Sequence, residues 1–198
     1  AIEIEKRIPV GAGLGGGSAD AAAVLRALNA LSDRPLPDDR LFVLAATLGA
    51  DVPFLTSGAV MAMAWGRGER MLALAAPPPR PVVLLVPPFS ISTAEAYRWL
   101  DAHTDAPASV SRIWHADQFA GWPALAALAH NDFEDIVVDR HPEVGELLGE
   151  LRAMGASPAM MSGSGSTVFG MFDEATPALE SIRGDARVIT TRTLSQGI

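Results

Sequence analysis

From Ala1 to Ile8 apolar and charged side chains alternate, Ile2, Ile4 and Ile8 against Glu3, Glu5 and Arg7, which is the period of a half-buried strand. After the glycine-rich stretch Pro9 to Ala19, residues Ala21, Val24, Leu25, Leu28 and Leu31 recur at helical spacing. That pattern predicts a helix whose N-terminus lies near Ser18 or Ala19. Ser32 to Asp39 reads as a proline-broken loop with Asp38 as N-cap. Leu41, Leu44, Ala45 and Leu48 then form a second helical stripe, stopped by Gly49. The runs Gly58 to Met63 and Met71 to Leu74 predict paired strands around Gly66-Arg67-Gly68.

Pro77 to Pro81 supplies a stiff connector and the expected boundary between a first domain, 1–76, and a second, 77–198. Beyond it Val82 to Val86 has the β-branched content of a buried strand. Ser92-Thr93-Ala94-Glu95 has the spacing of a capping box and starts a helix through Tyr97 and Leu100. Ala102 to Pro123 gives little. Asn131 to Glu134 reads as a helix start with Asn131 as the cap, and Glu143 to Met154 as an amphipathic helix closed by Gly155. Ala159 to Phe172 predicts a strand pair around Ser162-Gly163-Ser164-Gly165-Ser166-Thr167, with a helix at Pro177 to Ile182 and a last strand at Val188 to Thr193. This order suggests a split βαβ pair, the ferredoxin-like arrangement, in an α+β protein.

Composition narrows the functions. The 198 residues carry a net charge of −8, an acidic balance that argues against a nucleic-acid surface. Without cysteine there are no disulfides or thiolate metal sites, which fits a reducing cytoplasm. The apolar run Val82 to Val86 falls far short of the roughly 20 residues of a membrane helix. The four histidines show no short metal-ligand spacing. Neither membrane nor nucleic acid is expected as a partner, and the oligomeric state stays open.

The glycines carry the chemistry. Gly11, Gly13, Gly15, Gly16 and Gly17 cannot build a core, but they allow positive φ and close approach of backbone to a ligand. At the front of a helix, free N–H groups and the positive dipole end form an anion site, for which a polyphosphate is the natural occupant. Gly11, Gly16 and Ser18 meet the P-loop pattern except that Gly17 stands where lysine is required. Gly11, Gly13 and Gly16 meet a dinucleotide fingerprint, yet Asp33 lies in a loop where the pattern needs a strand end. A flexible strand-to-helix turn is the plain alternative. Asp51 follows a helix C-terminus, where a carboxylate meets the dipole's negative end at a cost of about 0.3–1 kcal/mol. It is either functional or an Asx-type turn former aided by Pro53.

Pro9 to Ala19, Leu48-Gly49-Ala50-Asp51-Val52-Pro53-Phe54 and Ser162 to Thr167 together resemble the motifs of the GHMP kinases, along essentially the whole chain. With Ser92 to Tyr97 and Asn131-Asp132-Phe133-Glu134 added, the stretch Gly49-Ala50-Asp51-Val52-Pro53 and the segment Ser92-Thr93-Ala94-Glu95 narrow the resemblance to the branch that phosphorylates 4-diphosphocytidyl-2-C-methyl-D-erythritol in non-mevalonate isoprenoid synthesis. The resemblance implies a two-domain fold, the remainder of an N-terminal α/β domain followed by a ferredoxin-like domain. It also implies ATP and Mg²⁺ as cofactors and transfer to the 2-hydroxyl of the cytidine diphosphate-linked methylerythritol.

Residue by residue, Pro9, Val10, Gly11, Ala12, Gly13, Leu14, Gly15, Gly16, Gly17, Ser18 and Ala19 would hold the ATP phosphates, with Ser18 also positioning the metal. Lys6, the only lysine, matches a position lining the nucleotide pocket; a solvated strand-end lysine is the other reading. Asp51 matches the catalytic aspartate. Thr93 and Tyr97 fall at substrate positions, the ring against the cytosine, while a half-buried helix tyrosine is the structural alternative. Gly163, Ser164, Gly165, Ser166 and Thr167 match a turn that closes over substrate phosphates, though such a stretch also serves as an ordinary hairpin turn. The family carries a segment ahead of the glycine motif that includes a catalytic lysine, for which Lys6 is too close to the loop. The resemblance therefore implies a truncated kinase with little or no turnover. A catalytically silent nucleotide-binding module, or a GHMP kinase for another small alcohol, is the alternative; an NAD-dependent oxidoreductase lacks its acidic residue.

Overall fold

The computed structural model describes residues 1–103, 114–179, 182 and 184–195, and within them the chain divides into two units. The first takes in Ala1–Val10, Gly15–Ala76 and residues 194 and 195; the second takes in Gly11–Leu14 and Pro77–Thr193.

In the first unit, helices α1 (Gly16–Leu31), α2 (Asp38–Leu48) and α3 (Val52–Ser57) pack through small side chains. Ala22, Ala45 and Val52 are buried, with Ala21, Leu25 and Leu55 against them. Small residues let the helix axes approach, which leaves part of each apolar stripe outside the contact. Leu28, Leu31, Leu44 and Leu48, expected in the core from their spacing, are exposed, Leu31 by 82%. Helix α2 starts at Asp38 with Pro37 as its N-cap, so Asp38 serves in the first turn instead. Gly49 ends α2 as expected, in an extended conformation. Strands β1 (Ala62–Trp65) and β2 (Arg70–Ala73) form the anticipated antiparallel hairpin, Ala62 facing Ala73 and Trp65 facing Arg70.

The alternating segment 1–8 is not a strand. Ile2, Ile4 and Ile8 are exposed, and among the described residues no strand pairs with them. Alternation makes a segment compatible with a sheet, but only a partner ladder satisfies its backbone as one.

The second unit is built on the sheet β4 (Ala159–Met161), β5 (Val168–Met171), β3 (Pro81–Val86) and β6 (Arg187–Arg192), in that spatial order and antiparallel throughout. That is the strand order of a ferredoxin-like domain. The central strand β3 is buried because both its neighbours are in place: Val83 faces Gly170 on one side and Thr190 on the other. Val83 and Leu85 pack with Met161 and Val168 against Val144, Leu147, Leu148 and Leu151 of α7 (Pro142–Ala153). Helices α4 (Thr93–His103) and α6 (Glu134–Arg140) complete this layer, and α5 (Trp122–Leu128) follows a short 3₁₀ turn, Ala116–Phe119. Trp122, silent in the sequence, donates its indole N–H to Pro78 O at 2.7 Å, with Arg80 over its ring. It thereby anchors the proline connector. Of the helix expected over 177–182, residues 177–179 are not helical; residues 180 and 181 lie outside the described residues. No helix among the described residues is long and apolar enough to cross a membrane.

Candidate functional site

In the first unit the site begins at the front of α1. Gly15 is its N-cap at φ 65°, and Ala19 donates its N–H to Gly15 O at 2.9 Å. The N–H groups of Gly16, Gly17 and Ser18 have no acceptor among the described residues. Three open donors stand at the positive end of a sixteen-residue helix whose first turn carries no acidic side chain. Lys6 pairs with Asp20 of the same helix, so it borders this end of α1. Ser18 is half-buried in the first turn, Pro9 half-buried and Val10 exposed.

Asp51 follows α2 directly, but α3 begins at the next residue, so Asp51 is also the N-cap residue of α3. The unfavourable dipole expected from α2 is thus opposed by the favourable end of α3. Its carboxylate is exposed, makes no capping hydrogen bond, and is held by backbone alone, Asp51 O accepting from Leu55 N at 3.2 Å.

In the second unit Gly11–Leu14 is sewn to the turn between β4 and β5. Ser162 Oγ donates to Gly13 O at 2.8 Å, and Thr167 N donates to Ala12 O at 3.3 Å. The approach is so close that a Cβ on Gly13, at φ +75°, would lie 2.3 Å from Ser162 O and 2.8 Å from Gly165 O. Within the turn, Ser162 N reaches Thr167 O at 2.8 Å and Gly165 N reaches Ser162 O at 3.0 Å. The hydroxyls face inward to protein: Ser164 Oγ lies 3.0 Å from Thr93 Oγ1, and Ser166 Oγ donates to Phe89 O at 2.5 Å. Ser166 and Thr167 are fully buried, and Thr167 Oγ1 has no partner among the described residues. The N–H groups of Gly163, Ser164 and Ser166 likewise lack an acceptor there. Buried backbone donors are almost always paired, so the open N–H groups of the buried Ser164 and Ser166, beside that of the exposed Gly163, suit an anion. Tyr97 stands on α4, 53% exposed, its ring edge-on to Phe133 at 5.0 Å. It keeps a free face for a planar group.

Composition and spacing undervalued Asn131. Asn131 accepts from Phe133 N at the entry to α6, where Phe133 is the N-cap residue, and also donates to Met161 O and Gly163 O, both at 2.9 Å. The signal was present in Asn131-Asp132-Phe133-Glu134, but a cap and a long-range tether have the same local sequence. Among the described residues no group of three or more His, Cys, Asp or Glu could hold a metal ion.

The profile of the GHMP kinases N terminal domain matches residues 1–66, and that of the GHMP kinases C terminal domain matches residues 119–183. The 4-diphosphocytidyl-2-C-methyl-D-erythritol kinase of Shouchella clausii is 42% identical over 173 residues, 87% of this chain and 58% of that protein. Its namesake from Pelotomaculum thermopropionicum is 42% identical over 207 residues, 98% of this chain and 69% of that protein. A crystal structure of 4-(cytidine 5'-diphospho)-2C-methyl-D-erythritol kinase matches with a TM-score of 0.66 at 42% identity, covering 84% of this chain and 59% of that one. Homoserine kinase from Cytophaga hutchinsonii matches with a TM-score of 0.66 at 16% identity, over 97% of this chain and 69% of that one, a likeness of fold alone. The chain thus spans between 58% and 69% of the length of these relatives. With both family profiles matched and this identity along the chain, it belongs to the GHMP kinases, in the family of the 4-diphosphocytidyl-2-C-methyl-D-erythritol kinases.

Proposed function

We propose that this chain carries the nucleotide-binding and phosphoryl-transfer machinery of an ATP-dependent kinase acting on the 2-hydroxyl of 4-diphosphocytidyl-2-C-methyl-D-erythritol. In this reading residues 1–76 are the N-terminal kinase domain and 77–198 the ferredoxin-like C-terminal one. The observation that carries it is the pair of open amide sets, Gly16 to Ser18 at the front of α1 and Gly163, Ser164 and Ser166 in the β4–β5 turn. Each suits a phosphate, and phosphoryl transfer is catalysed mostly by positioning and charge stabilisation.

Pro9 to Ala19 is assigned to the ATP phosphates, with Lys6 bordering the nucleotide. Bound Mg²⁺, with Ser18 beside it, would neutralise charge on those phosphates. Asp51 orients the acceptor hydroxyl and takes its proton, a role open to a carboxylate whose oxygens no cap has claimed. Tyr97 offers its exposed face to the cytosine, a stack worth roughly 1–3 kcal/mol. Thr93 and Gly163 to Thr167 hold the substrate end. Binding of Mg-ATP, without a response to NAD, is the expected result, with only weak ATP-dependent phosphorylation of the cytidine diphosphate-linked methylerythritol by this chain. A chain that binds NAD and ignores ATP would end this reading.

A further inference from the structure

The open amides of the β4–β5 turn point outward only if the carbonyls between them are held elsewhere, because each peptide plane carries both groups. Gly163 O shares its peptide plane with the open N–H of Ser164, and Met161 O ends the strand that leads into the turn. Both accept from one nitrogen, Asn131 Nδ2, at 2.9 Å each. A carboxamide has two N–H bonds to give, and both are used here. Its oxygen accepts from Phe133 N at 2.9 Å, which fixes which way the amide faces.

The residue three along completes the grip. Glu134 accepts Met161 N at 2.8 Å through one carboxylate oxygen, and its other oxygen takes Arg152 at 3.1 Å, itself donating to Ala159 O at 3.2 Å. Strand β4 lies at the edge of its sheet, so its outer backbone groups have no ladder. The entry to α6 supplies one with side chains. The exit of β4 into the turn is therefore set on one side by Asn131 and on the other by Ser162 Oγ on Gly13 O.

We propose that Asn131 is a positioning residue for phosphate binding, a two-carbonyl clamp that aims the amides of Gly163, Ser164 and Ser166 without touching the ligand. The inference rests on reading that turn as a phosphate site, and the two can fail separately. Serine keeps one donor, alanine none, and aspartate sets a carboxylate oxygen against two carbonyls and adds charge beside an anion.

The test uses the full chain, with inorganic triphosphate and Mg-ATP as probes, well below the melting temperature of each variant. Triphosphate should shift the amide NMR signals of Gly163, Ser164 and Ser166 in the parent chain. Affinity read from those three turn signals should fall in the order Asn131→Ser, Asn131→Ala, Asn131→Asp, by about tenfold or more for alanine, the scale of two lost hydrogen bonds. Asp132→Ala, whose exposed carboxylate pairs with His130, should leave affinity unchanged. A purely structural asparagine would lower the melting temperature while the folded protein bound as before, and that result overturns the clamp. Should Asn131→Ala not fold, Asn131→Ser decides by the same criterion. If the parent's turn amides do not respond to triphosphate, the phosphate reading of the turn fails and the clamp falls with it.

Discussion

At Gly13 the backbone is pressed against two carbonyls at a positive φ, and no side chain fits there. Gly13→Ala must pay a left-handed penalty of about 1–2 kcal/mol and push apart the loop and the turn it is sewn to. We expect both a lower denaturation midpoint and a loss of triphosphate binding; retention of both would mean the contact is loose. Asp51 is the opposite case, a residue whose neighbours ask nothing of its side chain. Asp51→Asn should leave Mg-ATP affinity and stability nearly unchanged. Turnover should fall about 10²–10⁴-fold, the usual range for a lost general base. Full activity in that variant would reduce Asp51 to a turn former. Sequence spacing marked the glycines directly, because their chemistry is local, and left Asp51 between a functional carboxylate and a turn former. It could not show that Ser162, Ser164 and Ser166 spend their hydroxyls on protein, since Gly13, Thr93 and Phe89 come from distant points in the chain.

Among the elements, the β1–β2 hairpin was legible because Gly66-Arg67-Gly68 marks the turn and alternation marks the strands. The structure adds Glu69, whose carboxylate folds back over Gly66 and accepts Arg67 N at 2.6 Å. Hydrogen bonds from the backbone N–H groups of Glu69 itself and of Arg67 hold its pKa below the ordinary glutamate value, aided by the charges of Arg70 and Arg67. A carboxyl with a lowered folded pKa contributes stability that is complete above the unfolded pKa and is lost as pH falls through the folded one. Glu69 should therefore titrate, by NMR, below a glutamate in an unstructured peptide, and the hairpin amides of Arg67 should shift with it. In Glu69→Gln that acid-range shift should vanish. A Glu69 midpoint equal to the peptide's would contradict the hydrogen-bonded turn. The strand expected at residues 1–8 shows the limit of the same method: alternation reports a compatible face, and pairing needs a second strand.

Across the whole molecule, burial is concentrated in the second unit, where α7 lies on the sheet. Leu148 is 1% exposed there, and Leu148→Ala should cost about 2–5 kcal/mol in urea unfolding. Leu31→Ala and Leu48→Ala, at 82% and 58% exposure, should change stability by no more than about 0.5 kcal/mol. Comparable losses at all three would mean that the helical stripes of α1 and α2 are buried after all. By itself the sequence determined α1, α2, the hairpin, the buried strand β3, the glycine loop, the carboxylate after α2 and the glycine-serine turn, because φ preferences, apolar periods and turn chemistry act over a few residues. Only the tertiary structure decided which halves of the apolar stripes face a core, that the turn is laced to Gly13 and Ala12, and that Asn131 holds its carbonyls. Those outcomes depend on packing and hydrogen bonds between residues far apart in the chain, whose partners no local pattern names.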